Sequence, residues 1–184
     1  MNIITTPLPG VVIIEPKVFR DDRGYFLETW SAAKSEPLGL PTEYAQDNLS
    51  CSKPGVLRGL HYQFPIPQGK LVGVAQGEVF DVAVDIRVGS PTFGRWFGVT
   101  LSVANGRQLY IPEGFAHGFQ VTGTEPAIFT YKCTNGYDPG GQCSIVWNDP
   151  DLAIDWPGSS ALLSPKDAEA PRLRDVPESR LPRI

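Results

Sequence analysis

Nineteen glycines and eighteen prolines are spread along this chain of 184 residues. They cut it into short runs and leave little room for long helices. Short alternating runs between such breaks are the mark of many strands joined by turns. The clearest run is 78–87, where Phe80, Val82, Val84 and Ile86 alternate with Val79, Asp81, Ala83, Asp85 and Arg87. Further strands are expected at 11–18 (broken at Pro16), 24–30, 56–64, 71–75, 95–103, 107–112, 117–122, 127–133 and 143–147. Hairpins are expected around Gln76-Gly77 and around Asn105-Gly106, the second as a two-residue type I′ turn. Residues 21–24 read as a turn, and 31–38 as a helical turn. Ser164-Pro165 reads as a helix start, with Ser as N-cap and Pro at the first position. Residues 46–50 read as a polar connection and 171–184 as loosely ordered. The expected fold is all-β, a double-sheet antiparallel sandwich of the jelly-roll type with short helical segments.

Length sets a prior of one domain. A chain this long buries roughly 70% of its unfolded surface, so its core needs no covalent staples. The net charge of -4 argues against non-specific nucleic-acid binding, which rests on phosphate neutralisation. A local pair of arginines for one small phosphate ligand stays compatible with it. Cys51, Cys133 and Cys143 form no CxxC pair and leave one thiol over in any disulfide scheme, which favours a reduced compartment. No basic, apolar leader opens the chain, and no window approaches the ~20 apolar residues of a membrane span. A cytoplasmic protein without membrane contact is the expectation.

The stretch 55–70 concentrates chemistry. It holds His61, one of only two histidines, with Arg58 three residues before it and Lys70 nine after. On a regular strand His61 shares a face with Leu57, Gly59 and Gln63, and Arg58 points away unless a bulge intervenes. A base and two cations suit an anionic substrate.

Two segments resemble the cupin superfamily: Gly55-x5-His61, and Gly106-x5-Pro112-x-Gly114-x2-His117. Metal-binding cupins usually add a second histidine two positions after the first and a glutamate soon after. This chain has Gln63 there and no acid in 64–69. A transition metal generally takes three or four His, Cys or carboxylate ligands, so no metal site is expected. Seven further segments narrow the likeness: Asp22–Glu28, Gln46–Ser50, Val56–Gln63, Asp81–Arg87, Ile111–Phe119, Tyr131–Thr134 and Leu163–Asp167. In this order they resemble the dTDP-4-dehydrorhamnose 3,5-epimerase family, metal-free cupins, over about residues 5 to 170. The resemblance implies a jelly roll, no cofactor and a strand-exchanged homodimer. On this reading residues 1–50 make dimer contacts, 50–148 form the core, and 149–184 are a C-terminal extension of a single cupin domain.

It also implies a dTDP-linked 4-keto-6-deoxyglucose as substrate, whose C3–H and C5–H flank the C4 ketone. His61 matches the family's base, oriented by Asp167. Lys70 would stabilise the enolate oxygen, and Tyr131 would return a proton on the opposite face. Arg23 and Arg58 would hold the pyrophosphate, and Phe26 would stack on thymine. Glu28, Gln46, Asn48, His117, Tyr137 and Lys166 match further substrate contacts. Gln142 stands where the family usually has glutamate.

Plainer readings accompany each residue. Alone, Phe26 reads as core, Asp167 as support for a helix N-terminus, and Tyr131 as strand packing. Arg58 on an apolar strand needs a partner, with Asp81 or Asp85 as protein candidates. Two functions stay open beside the 3,5-epimerase: a single-site C3 or C5 epimerase, and a non-catalytic cupin that binds a sugar nucleotide.

Overall fold

The computed structural model describes residues 1–158 and 161–184; residues 159–160, inside the expected C-terminal extension, lie outside the described residues. Along the chain come β1 (Asn2–Thr5), β2 (Val12–Glu15), β3 (Val18–Asp21) and β4 (Gly24–Leu27). A helical turn follows, α1 (Ala32–Ser35), as 31–38 suggested. Next are β5 (Gln46–Ser52), β6 (Leu57–Gln63), β7 (Lys70–Gln76), β8 (Glu78–Asp85) and β9 (Trp96–Ser102). The last strands are β10 (Gln108–Ile111), β11 (Phe115–Val121), β12 (Ala127–Cys133) and β13 (Gln142–Ser144), before α2 (Pro165–Ala168).

Two antiparallel sheets face each other. One has the order β1-β2-β10-β7-β12-β5, the other β13-β6-β11-β8-β9. Their inner faces share one core, built from Ile13, Val72, Leu109 and Phe129 on one side and Val79, Ala83, Phe115 and Phe119 on the other. This is the expected jelly-roll sandwich. The short ribbon β3–β4 pairs with neither sheet.

Both expected hairpins are instead crossings between sheets. The Gln76-Gly77 turn leads from β7 in one sheet to β8 in the other, and Asn105-Gly106 leads from β9 to β10 in the same way. Turn chemistry marked where the chain reverses, but adjacent strands in sequence need not pair. Asn105 does not take the positive φ of a type I′ turn. Its side-chain oxygen accepts from the amides of Ser102 and Arg107, and its amide donates to Thr100 O, which folds the corner between the sheets. Residues 46–50, read as a connection, form the edge strand β5, paired with β12 from Gln46↔Cys133 to Ser52↔Ala127.

The tail is also better ordered than its composition suggested. The outer face of the five-stranded sheet is apolar, through Leu57, Leu60, Tyr62, Val82 and Val84. The extension covers it with Leu152, Trp156, Leu173 and Leu181. Val88 donates to Pro182 O and bridges Arg183. The alternation in 78–87 thus has two apolar faces, one toward the opposite sheet and one toward the extension.

A bulge positions the reactive part of β6. His61 lies opposite His117, but Arg58 lies opposite Phe119, so three residue steps on β6 match two on β11. The extra residue turns Leu60 outward and leaves both Arg58 and His61 on the cleft side, against simple alternation. Gly59 permits this, with φ of 124° and the Gly118 Cα only 2.6 Å from where a Cβ would sit. Gly59→Ala is therefore expected to lose about 2–4 kcal/mol by backbone strain and overpacking. Gly136→Ala, with nothing within 4 Å of the new methyl, should stay within about 0.5 kcal/mol. Urea unfolding of the two variants checks this.

Candidate active site

A cleft of about 350 Å³ opens between β6 and the segment around α2, within the size range of small-molecule sites. Arg58, His61, Gln142, Ser164, Lys166 and Asp167 are among its lining residues. Asp167 arrives there because Ser164 caps α2: its side chain accepts the Asp167 amide at 3.2 Å. The helix-support reading of this segment therefore falls to Ser164 and the Asp167 backbone. The Asp167 carboxylate is left to meet His61, with 2.5 Å between Oδ1 and Nε2. Burial would raise the Asp167 carboxyl, but the hydrogen bond and charge of His61 and the bond at Ser164 outweigh it and hold it below the ordinary value.

The neighbouring strand repeats the arrangement deeper in. His117, opposite His61, places Nε2 2.8 Å from Asp81 Oδ2, and both residues are buried. Burial pushes the His117 imidazole below its ordinary value against the pull of Asp81, with Lys70 and His61 adding repulsion. Asp81, one candidate partner for Arg58, is thus taken by His117: an acid on the inward register of an apolar strand, between Val79 and Ala83, needs a buried donor. Asp85 is taken as well, by Arg87 at 2.7 Å and by Ser90 and Thr92 at 2.6 Å each.

Arg58 consequently has no carboxylate partner among the described residues. Its Nε donates to Ser52 Oγ at 3.0 Å. Arg58, Lys70 and Lys166 all lack an ion-pair partner among the described residues, in a chain of net charge -4. Lys70 faces Cys133 across the β7–β12 ladder, and burial lowers its pKa against the opposing pull of Cys133 and Asp81. Tyr131 lies on the inner face of β12, its ring 6.0 Å from Phe129, and burial raises its phenol.

Gln46 and Asn48 share that inward register on β5, opposite Cys133 and Tyr131. Gln46 Nε2 donates to Asn48 Oδ1 at 2.8 Å, and its oxygen accepts the Tyr137 amide at 2.7 Å. The Tyr137 hydroxyl donates to Gln142 Oε1 at 2.9 Å. These four residues form one polar rim. Arg23, Phe26 and Glu28 lie elsewhere, on and beside the β3–β4 ribbon, and none lines the cleft of its own chain. Arg23 is 90% exposed and paired with Asp21, Glu28 holds Lys34 at 2.8 Å, and Phe26 is 67% exposed rather than core. Among the described residues no three His, Cys, Asp or Glu side chains converge as a metal site would require.

The family model described as dTDP-4-dehydrorhamnose 3,5-epimerase matches residues 5–175. The chain belongs to this family. It is 57% identical over 176 residues to the dTDP-4-dehydrorhamnose 3,5-epimerase of Salmonella typhimurium, covering 94% of this chain and 96% of that protein. It is 55% identical to a 3,5-epimerase of Legionella pneumophila solved in complex with dTDP-4-keto-L-rhamnose. That structure superposes with a TM-score of 0.96, over 100% of this chain and 98% of the other. A dTDP-4-dehydrorhamnose 3-epimerase of Streptomyces niveus is 42% identical over 183 residues, 98% of this chain and 88% of that protein. Like the family model, these relatives are epimerases, and so this chain is an isomerase with the cupin-like jelly roll of its relatives. No helix among the described residues is long and apolar enough to cross a membrane.

The two dyads carry a pH signature. His117 and Asp167 both have depressed pKa values, so the unfolded chain binds more protons than the folded one. Their stabilisation is complete above the unfolded values, 6.5 and 3.8. It is lost as pH falls, first through His117 and then through Asp167. The melting temperature should fall between pH 7.5 and 5, and His117→Gln should flatten that fall by keeping a donor for Asp81 without a titrating ring. Calorimetry across this range reads the slope.

Proposed function

We propose that this protein inverts C3 and C5 of dTDP-4-dehydro-6-deoxy-D-glucose to give dTDP-4-dehydro-L-rhamnose, the step its family carries out for dTDP-L-rhamnose synthesis. The observation that carries the reading is the His61–Asp167 pair at the cleft. With Nε2–H donated to Asp167, the lone pair of His61 sits on Nδ1, which has no protein partner among the described residues. Neutral imidazole at Nδ1 takes the proton from C3 or C5, and Asp167 stabilises the imidazolium that forms. Electrons from the broken C–H bond move to the C4 oxygen, where the Lys70 ammonium meets the growing charge. Tyr131, whose burial keeps the phenol protonated, returns a proton from the opposite face of the ring. The reaction is redox-neutral, and these residues supply a base, an acid and a cation without a cofactor.

Arg58, without a carboxylate of its own, suits the pyrophosphate, since guanidinium matches phosphate bidentately. Lys166, His117 and the rim of Gln46, Asn48, Tyr137 and Gln142 suit the sugar and nucleoside. Arg23, Phe26 and Glu28 complete the set from a second copy. The β3–β4 ribbon, with Phe19, Tyr25 and Phe26 exposed, reaches into the cleft of a homodimer partner in the cytoplasm. A second reading, epimerisation at C3 or C5 alone, is favoured by one observation: Gln142 holds Tyr137 through a neutral amide where the family's glutamate would carry charge.

Incubation with the 4-keto sugar nucleotide in D₂O, followed by NMR, separates the readings. Wild type should lose both H3 and H5 signals, and loss of one alone supports the single-site enzyme. His61→Ala should slow exchange ~10²–10⁴-fold. Tyr131→Phe should still exchange, because abstraction does not need the acid, but should accumulate little inverted product. Exchange at neither carbon, with binding retained, would leave a sugar-nucleotide-binding cupin. Mixing inactive His61→Ala with inactive Arg23→Ala protein should restore about a quarter of wild-type activity, because half the dimers then carry one intact site. No recovery in a mixture shown to contain heterodimers would place each site within a single chain.

A further inference from the structure

The buried dyad differs from the exposed one in a way that simple anchoring leaves unexplained. The His117 ring lies on Phe129, with centroids 6.0 Å apart and planes 19° apart, and is pinned at Nε2 by Asp81. Asp81 is fully buried on the inward register of β8. A neutral amide there would hold the ring at less cost, because burying a carboxylate is expensive. Asp81 Oδ1 has no hydrogen-bond partner among the described residues.

The groups facing this pair come from four elements. His61 and Arg58 stand on β6, Lys70 on β7, and Tyr131 and Cys133 on β12, while Asp167 of α2 sits behind His61. Lys70 lacks an ion-pair partner among the described residues, and burial lowers its pKa while Cys133, and after it Asp81, act in the direction that favours the ammonium. The other ring nitrogen of His117, Nδ1, has no protein partner among the described residues.

We propose that Asp81 is a positioning residue that locks His117 as the neutral Nε2–H tautomer. That lock makes Nδ1 an acceptor, fit to receive a hydrogen bond from a sugar hydroxyl and unable to donate to the enolate oxygen. The oxygen is left to Lys70. The functional half of this inference rests on the epimerase reading; the tautomer does not.

With only two histidines in the chain, nitrogen-15 NMR of the labelled protein resolves both rings, and a His61→Gln sample assigns them. His117 should be neutral and protonated on Nε2 at pH 7. In Asp81→Asn, the amide should donate to Nε2 and move the ring proton to Nδ1. The acceptor for the sugar hydroxyl is then lost, so KM should rise by a larger factor than kcat falls. A wild-type His117 protonated on Nδ1, or on both nitrogens, would overturn the proposal. So would an Asp81→Asn protein with tautomer and KM unchanged. If that variant does not fold, the wild-type spectrum still decides the tautomer. A wild-type protein that exchanges neither proton would sink the epimerase reading, with the spectrum left to judge Asp81 by itself.

Discussion

The seam between β6 and β11 governs this molecule. Two glycines, Gly59 and Gly118, let the backbones approach so closely that neither accepts a side chain: a Cβ on Gly118 would sit 2.8 Å from Arg58 O. Their approach accommodates the extra residue of the bulge. The bulge in turn sets the guanidinium of Arg58 and the imidazole of His61 on one side of a strand that would otherwise part them. Leu60, displaced outward, becomes part of the apolar face that the C-terminal extension covers. One local irregularity thus creates both the reactive cleft and the surface that recruits Asp167 to it.

Burial does different work at each ionisable group. Asp167, at the mouth, is held ionised by His61 despite partial burial. His117, further in, is held neutral despite its carboxylate. Tyr131 keeps its proton, while Lys70 is pressed toward losing one. Groups with separated proton affinities thus meet between the two sheets, His61 and His117 from one and Lys70 and Tyr131 from the other.

Much of this was legible in the sequence where local chemistry decides. Strand β12 matched its expected bounds, Ser164-Pro165 began a helix, and the acidic-glycine turn at 21–24 closed a ribbon. The His61, Asp167 and Lys166 neighbourhood followed from the resemblance and is brought together by the fold. What escaped depends on tertiary context. Gln76-Gly77 and Asn105-Gly106 look alike whether the chain returns to the same sheet or crosses to the other. The alternation of β5 is hidden because its inward residues, Gln46 and Asn48, are polar and face the site rather than the core. The tail, rich in Pro and charge, is ordered by Leu173 and Leu181, two side chains whose value depends on an apolar sheet face far upstream in the chain. Arg58 on an apolar strand does need a partner, and it has Ser52 and an open cleft rather than an acid.

The His61–Asp167 contact joins residues 106 positions apart. During synthesis the imidazole, both inward cations of β6 and β7, and the phenol of β12 emerge from the ribosome well before the carboxylate that orients the base. Until that carboxylate arrives, the apolar outer face of the five-stranded sheet is uncovered as well, so the last segment to be made completes the core and the His61 pair together.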